Sequence, residues 1–126
     1  KDLRHRPASQ LSGGEKARAL LARVLAGQPQ WILAYEPLAA LDLAHQHLLL
    51  RYLRSAAEAG AGILIVVHDL AIAMNHADRV IVLHEGKLAA DGAPDEALSP
   101  AHIADVWGVS SSWIGEAGER ALAVKR

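Results

Sequence analysis

At 126 residues and 13.4 kDa the chain has room for one compact unit, and an apolar content of 52% is enough to bury a core. A formal charge of -1, a pI of about 6.7 and the lack of any basic block argue against a long nucleic-acid footprint, and the absence of Cys excludes a disulfide framework or a thiolate metal site. The longest apolar stretch, around Ile63 to Val67, is far shorter than the roughly 18–20 residues that span a bilayer, and no signal peptide is visible.

The chain opens on Lys1 rather than Met, and its first motif arrives only ten residues later. We therefore expect a piece of a longer protein, with an apolar face left exposed where the rest would pack. Phe is absent, so aliphatic side chains must build the core. Ser12-Gly-Gly-Glu15 opens a predicted helix running to about Ala26, with Leu20, Leu21, Val24 and Leu25 on one face and Gly27 and Pro29 as its stop. Trp31 to Tyr35 reads as a short buried strand ended by Glu36-Pro37, followed by a loop over 38–42. A second helix is expected over about 43–59, with Leu48, Leu49, Tyr52 and Leu53 inward and Gly60 as its cap. Gly62 to Val67 reads as a second buried strand leading into His68-Asp69. A short helix over about 70–77 and a strand over 79–83 follow, then a Glu85-Gly86 turn into 87–90. Two short helices are expected near 94–98 and 101–107, and the Ser-, Gly- and Ala-rich stretch 109–126 is expected to be loosely held.

Twenty-six residues separate Tyr35 from Gly62, enough for a parallel crossover, which needs about a dozen. Parallel strands end on the same side, so Glu36 and His68 are expected at one edge of the sheet, where ligands of open α/β folds bind.

Leu11-Ser-Gly-Gly-Glu15 is the most specific signal, a pentamer expected by chance on the order of once per million positions. Glycines without Cβ let backbone N–H groups approach an anion, the Ser12 hydroxyl can donate, and a helix N-terminus adds positive potential. The same residues also fit a plain capping box, since Ser12 and Glu15 have the S-x-x-E spacing. Glu36, at the end of an apolar strand, is either a general base that polarises a water or a solvated loop acid. His68 is either a donor to a phosphate or to that water, or a hydrogen-bonded structural histidine. Asp42 can serve as the N-cap of the helix that starts at Leu43. His5, His45, His47, His76, His84 and His102 form no ligand set, and no metal site is assigned to them.

Taken together and in this order, these elements resemble the ATP-binding-cassette (ABC) ATPase family over about residues 1–108. Gln10-Leu-Ser-Gly-Gly-Glu15 looks like the signature motif and Trp31 to Pro37 like Walker B with its catalytic glutamate. Leu38 to Asp42 looks like the D-loop, and Val67-His68-Asp69 like the switch-histidine loop. The resemblance implies an α/β fold: part of a P-loop NTPase, with a parallel sheet core, flanking helices and a C-terminal β-hairpin. Residues 1–108 would be the C-terminal half of a nucleotide-binding domain, and 109–126 a tail. It also implies ATP and Mg²⁺ as cofactors of the intact parent, and a dimer in which the signature of one subunit closes over ATP held by the other. Gln10, Ser12, Gly13 and Gly14 would then belong to the nucleotide-binding surface, with Ser12 and Gly14 on the γ-phosphate in trans. Glu36 would position water, His68 would sense the γ-phosphate, and Asp42 would lie at the dimer seam. Phosphoryl transfer depends mainly on positioning and charge stabilisation, which suits this distribution of groups.

Two departures from the family pattern matter. No G-x-x-x-x-G-K-[ST] occurs anywhere, since Gly86-Lys87 is followed by Leu88 and lacks the upstream glycine. On its own this chain is therefore not expected to hydrolyse ATP. The second is Tyr35, which stands where the family has an aspartate that helps to hold Mg²⁺. A phenol is a poor ligand for a hard cation that prefers carboxylate and water oxygens. The stretch from Leu38 to Trp107 is similar to ATPases of bacterial importers of iron-siderophore, haem or cobalamin type. That likeness implies a transmembrane permease as partner, no nucleic acid, and a cytoplasmic position peripheral to the inner membrane. The alternatives are a degenerate cassette, favoured by Tyr35, and a soluble ABC protein outside transport.

Overall fold

The computed structural model describes residues 30–126. They fall into two units that meet in the sequence at Val67 and His68. Three two-stranded sheets are formed among the described residues.

In the first unit, β1 (Trp31–Tyr35) and β2 (Gly62–Val66) lie parallel, in register from Trp31 opposite Gly62 to Tyr35 opposite Val66. The ladder runs one bond further at each end, from Gly62 N to Gln30 O (2.8 Å) and from Glu36 N to Val66 O (2.7 Å). The crossover is α1 (Leu43–Glu58), started by Asp42 as N-cap and followed by Gly60 at φ +108°. Leu49, Leu53 and Ala56 are buried, a stripe at helical spacing that packs the helix onto the sheet. Tyr52, expected inward, is 41% exposed: it sits at the edge of that stripe, and a position there keeps its hydroxyl in water.

The two strands were expected to be buried, and here the structure differs. Ile32 is buried, but Trp31, Leu33 and Tyr35 face outward with Leu64 and Val66 beside them. Among the described residues α1 covers one face of the pair, and the aliphatic residues of the other form the kind of apolar face that a parallel sheet buries under a further layer.

Trp31 explains why β2 begins on a glycine. A Cβ on Gly62 would lie 2.5 Å from the Trp31 ring. Gly62→Ala is expected to destabilise the unit by about 1 kcal/mol, within the range for overpacking. In a Trp31→Ala background the same change should turn mildly stabilising, because Ala restricts the unfolded chain more than Gly does. Urea denaturation of the four variants reads this sign reversal.

In the second unit, α2 (Leu70–His76) is capped by Asp69, whose carboxylate accepts from Ala71 N (2.9 Å) and Ile72 N (3.2 Å). The hairpin of β3 (Val80–His84) and β4 (Lys87–Gly92) turns at Glu85 (φ 51°) and Gly86 (φ 75°). Both residues have positive φ, as a two-residue hairpin turn of the primed type requires. A shift of register between Val82 and Leu83 bulges the hairpin, and Arg79 clasps its open end through two bonds to Asp91, at 2.7 and 2.6 Å. The helices α3 (Pro94–Ala97) and α4 (Pro100–Trp107) follow, α4 with Ser99 as N-cap and Gly108 at φ 71° as its stop. Met74, Val80, Val82, Ala90, Ala97 and Leu98 form the core of this unit.

The stretch expected to be loosely held, 109–126, instead carries an antiparallel hairpin of β5 (Ser111–Ile114) and β6 (Ala121–Val124). Tertiary bonds hold it. The Trp113 indole donates to Leu98 O at 2.8 Å, and Asn75 and the backbone of Arg120 exchange two bonds of 2.9 and 2.8 Å. Arg120 also pairs with Asp95. No helix among the described residues is long and apolar enough to cross a membrane.

Candidate functional site

The residues expected to serve the reaction divide by position. Gln10, Ser12, Gly13 and Gly14 lie outside the described residues. Glu36 and Asp42 stand at the two ends of one loop in the first unit, between β1 and α1. His68 opens the second unit, two positions after the end of β2, and is exposed. Its neighbour Asp69 is committed to capping α2.

The parallel pairing expected from the crossover is present, and it fixes Glu36. Its amide continues the β ladder onto Val66 O, and its φ of 46° turns the chain sharply off the strand. A non-glycine residue in the left-handed region costs on the order of 1 kcal/mol and persists only where the surroundings hold it. Ala40, at φ 65°, is a second such residue in the same loop. Two turns fold the loop tightly, from Ala39 N to Glu36 O and from Leu41 N to Leu38 O, both 3.2 Å. Leu38 and Leu41 bury their side chains beneath it.

Asp42 is exposed, and one of its oxygens accepts at 2.8 Å from both the His45 amide and the His45 ring Nδ1. The His45 backbone N–H and then its ring hold the Asp42 carboxyl below the usual carboxylate range. The sign follows: with its folded value depressed, Asp42 stabilises the helix start above its ordinary pKa of 3.8, and that contribution is lost as pH falls through the lower folded value. Asp42→Asn can still cap the helix but does not titrate. The stability gap between the two proteins should therefore narrow as the denaturation midpoint is followed from about pH 5 downward.

Nothing in the sequence singles out Gln46, since one polar residue in the first turn of a helix carries no signal. Its side-chain amide donates to Leu41 O at 3.1 Å and, more weakly, to Leu38 O at 3.5 Å. Since both partners only accept, the NH₂ group must be the end that faces them.

Tyr35 is 73% exposed and shares the outer face of the sheet with Trp31 and Leu33. The donor set at this strand tip does not fit a divalent cation well. It offers a phenol where a hard cation selects carboxylate, and Glu36 is the one carboxylate from 30 to 41. Among the described residues no group of three His, Cys, Asp or Glu side chains could hold a metal.

No protein-family model matches the chain. It is 50% identical over 103 residues to the hemin import ATP-binding protein HmuV of Rhodococcus jostii, covering 82% of this chain and 35% of that protein. The protein of the same name from Streptomyces coelicolor is 50% identical over 102 residues, covering 81% and 36%. That from Aliivibrio fischeri is 48% identical over 112, covering 86% and 43%. The chain thus spans well under half the length of these curated relatives. Among solved structures, an inward-facing ABC transporter of metal-chelate type matches with a TM-score of 0.78 at 22% identity, over 95% of this chain and 49% of that one. An ATP-binding cassette of an ABC transporter in its ADP conformation matches with 0.69 at 27%, over 82% and 41%. The fold is that of part of an ABC ATPase cassette.

Proposed function

Starting from a chain that is a relative of the ATP-binding proteins of ABC transporters, we propose that it supplies the hydrolytic half of an ATPase that drives import of hemin or a similar iron chelate. The observation that carries this reading is the placement of Glu36. Glu36 follows the tip of a parallel strand, and its φ of 46° turns the chain off the sheet; a carboxylate so placed supports a role as the base that takes a proton from a water attacking a phosphoryl group. Positioning is most of what phosphoryl transfer asks of a protein, and in this reading the loop anchored by buried Leu38 and Leu41 would supply it.

In this reading Gln10, Ser12, Gly13 and Gly14 of one subunit close over ATP bound by a second. His68 donates to the γ-phosphate, and Asp42 lies at the seam. Such an ATPase docks on a transmembrane permease at the cytoplasmic face of the inner membrane. Hemin is suggested by the names of the relatives. ATP and Mg²⁺ belong to the family in general, and Mg²⁺ when bound would neutralise charge on the phosphates.

A second reading is favoured by one residue. Tyr35 at the strand tip suits a cassette that binds nucleotide and turns it over slowly or not at all.

The test uses a chimera in which this chain replaces the stretch of the Rhodococcus jostii protein that it matches. With Tyr35→Asp introduced, the chimera should hydrolyse ATP. A folded, ATP-binding chimera that still fails to do so contradicts the reading.

A further inference from the structure

We propose that Gln46 is a positioning residue for the hydrolytic step, a clamp that sets the loop joining Glu36 to Asp42. The inference rests on the ATPase reading above. The loop holds two non-glycine residues at positive φ, Glu36 and Ala40, and such a conformation relaxes unless something over-determines it. Buried Leu38 and Leu41 pin the loop from below. Their carbonyl oxygens are the two acceptors taken by the Gln46 amide, at 3.5 and 3.1 Å. The Gln46 backbone is held in the helix, because its main-chain N–H closes the first helical bond onto Asp42 O at 2.9 Å. One side chain on α1 thus ties the helix start to both turns of the loop that aims Glu36.

Chemistry separates this role from ordinary packing. Gln46→Met keeps the shape and loses both donors. Gln46→Glu keeps shape and polarity, but at neutral pH sets a carboxylate against two carbonyl oxygens, none of which can donate. A residue that merely fills space tolerates both changes, whereas a clamp is loosened by Met and pushed open by Glu. Small displacements of a catalytic group cost up to about 100-fold in rate.

Two measurements test the proposal. In the chain itself, amide hydrogen exchange at 39–42 should quicken in Gln46→Met and further in Gln46→Glu, with the inner turns of α1, 50–56, unchanged. In the chimera carrying Tyr35→Asp, kcat should fall roughly ten-fold for Met and more for Glu, at unchanged KM for ATP. Lowering the pH towards the glutamate's own titration should recover part of the Glu variant's loss, because a protonated carboxyl can donate. Unchanged exchange at 39–42 overturns the clamp. Unchanged kcat in a chimera that turns over overturns its link to hydrolysis. If the chimera binds ATP but does not turn over, it is the ATPase reading that fails, and hydrogen exchange still decides whether Gln46 holds the loop.

Discussion

Glu36→Gln in the chimera carrying Tyr35→Asp is expected to lower ATP turnover by about 100-fold or more, the range that a positioned general base contributes. Glutamine has nearly the same shape, so the β-ladder bond from residue 36 to Val66 O and the turn from Glu36 O to Ala39 N are preserved. What is lost is a basic oxygen at the strand tip. The expected signature is a fall in kcat with little change in the affinity for ATP, as befits a group that acts on the attacking water and not on the bound nucleotide. Undiminished turnover would remove Glu36 from the role given to it here.

Tyr35→Asp is expected to act in the opposite direction. It exchanges an exposed phenol for a carboxylate on the outer face of β1, next to Glu36. If the aspartate that the resemblance implies here would help to hold Mg²⁺ indirectly, the relevant scale is that of groups one shell removed from a metal, about 10–100-fold. Turnover of the chimera should rise by that order, and the Mg²⁺ concentration for half-maximal rate should fall. In this chain Tyr35 is 73% exposed, so the change removes no buried contact among the described residues. Equal rates with Tyr and Asp would show that the strand tip needs no carboxylate here, and the degenerate reading would lose its support.

These two residues were legible in the sequence because they stand beside unmistakable punctuation. Glu36-Pro37 ends an apolar run, and the observed β1, Trp31–Tyr35, has the bounds that the run suggested. The crossover was legible for a similar reason: Asp42 and Gly60 bracket sixteen helical residues whose stripe of Leu49, Leu53 and Ala56 has the spacing of one face. The Glu85-Gly86 turn could be read from its pair of residues alone.

What escaped the sequence depends on contacts distant along the chain. Residues 111–124 look like a loose tail by composition, yet Trp113 reaches Leu98 O, and Asn75 binds Arg120 from 45 positions away. Only the spacing of Ser111 and Trp113, two apart and both turned inward, hinted at a strand. The exposure of one face of β1 and β2 was hidden by the uniform hydrophobicity of both strands. Gln46 was hidden because nothing local distinguishes a polar residue that binds two carbonyls from one that faces water. The strongest motif, at Gln10 to Glu15, lies outside the described residues, so its part in the site is carried by sequence alone.

The nucleotide held by the stalled protein tests the ATPase reading most directly. The chimera with Tyr35→Asp and Glu36→Gln is incubated with ATP and Mg²⁺, passed over a sizing column, and its bound nucleotide is extracted and identified. The expected result is a dimer that retains uncleaved ATP, since in the proposed reading the glycine-rich motif of each subunit would still close over its neighbour's nucleotide while no base activates water. A monomer carrying ADP would contradict it.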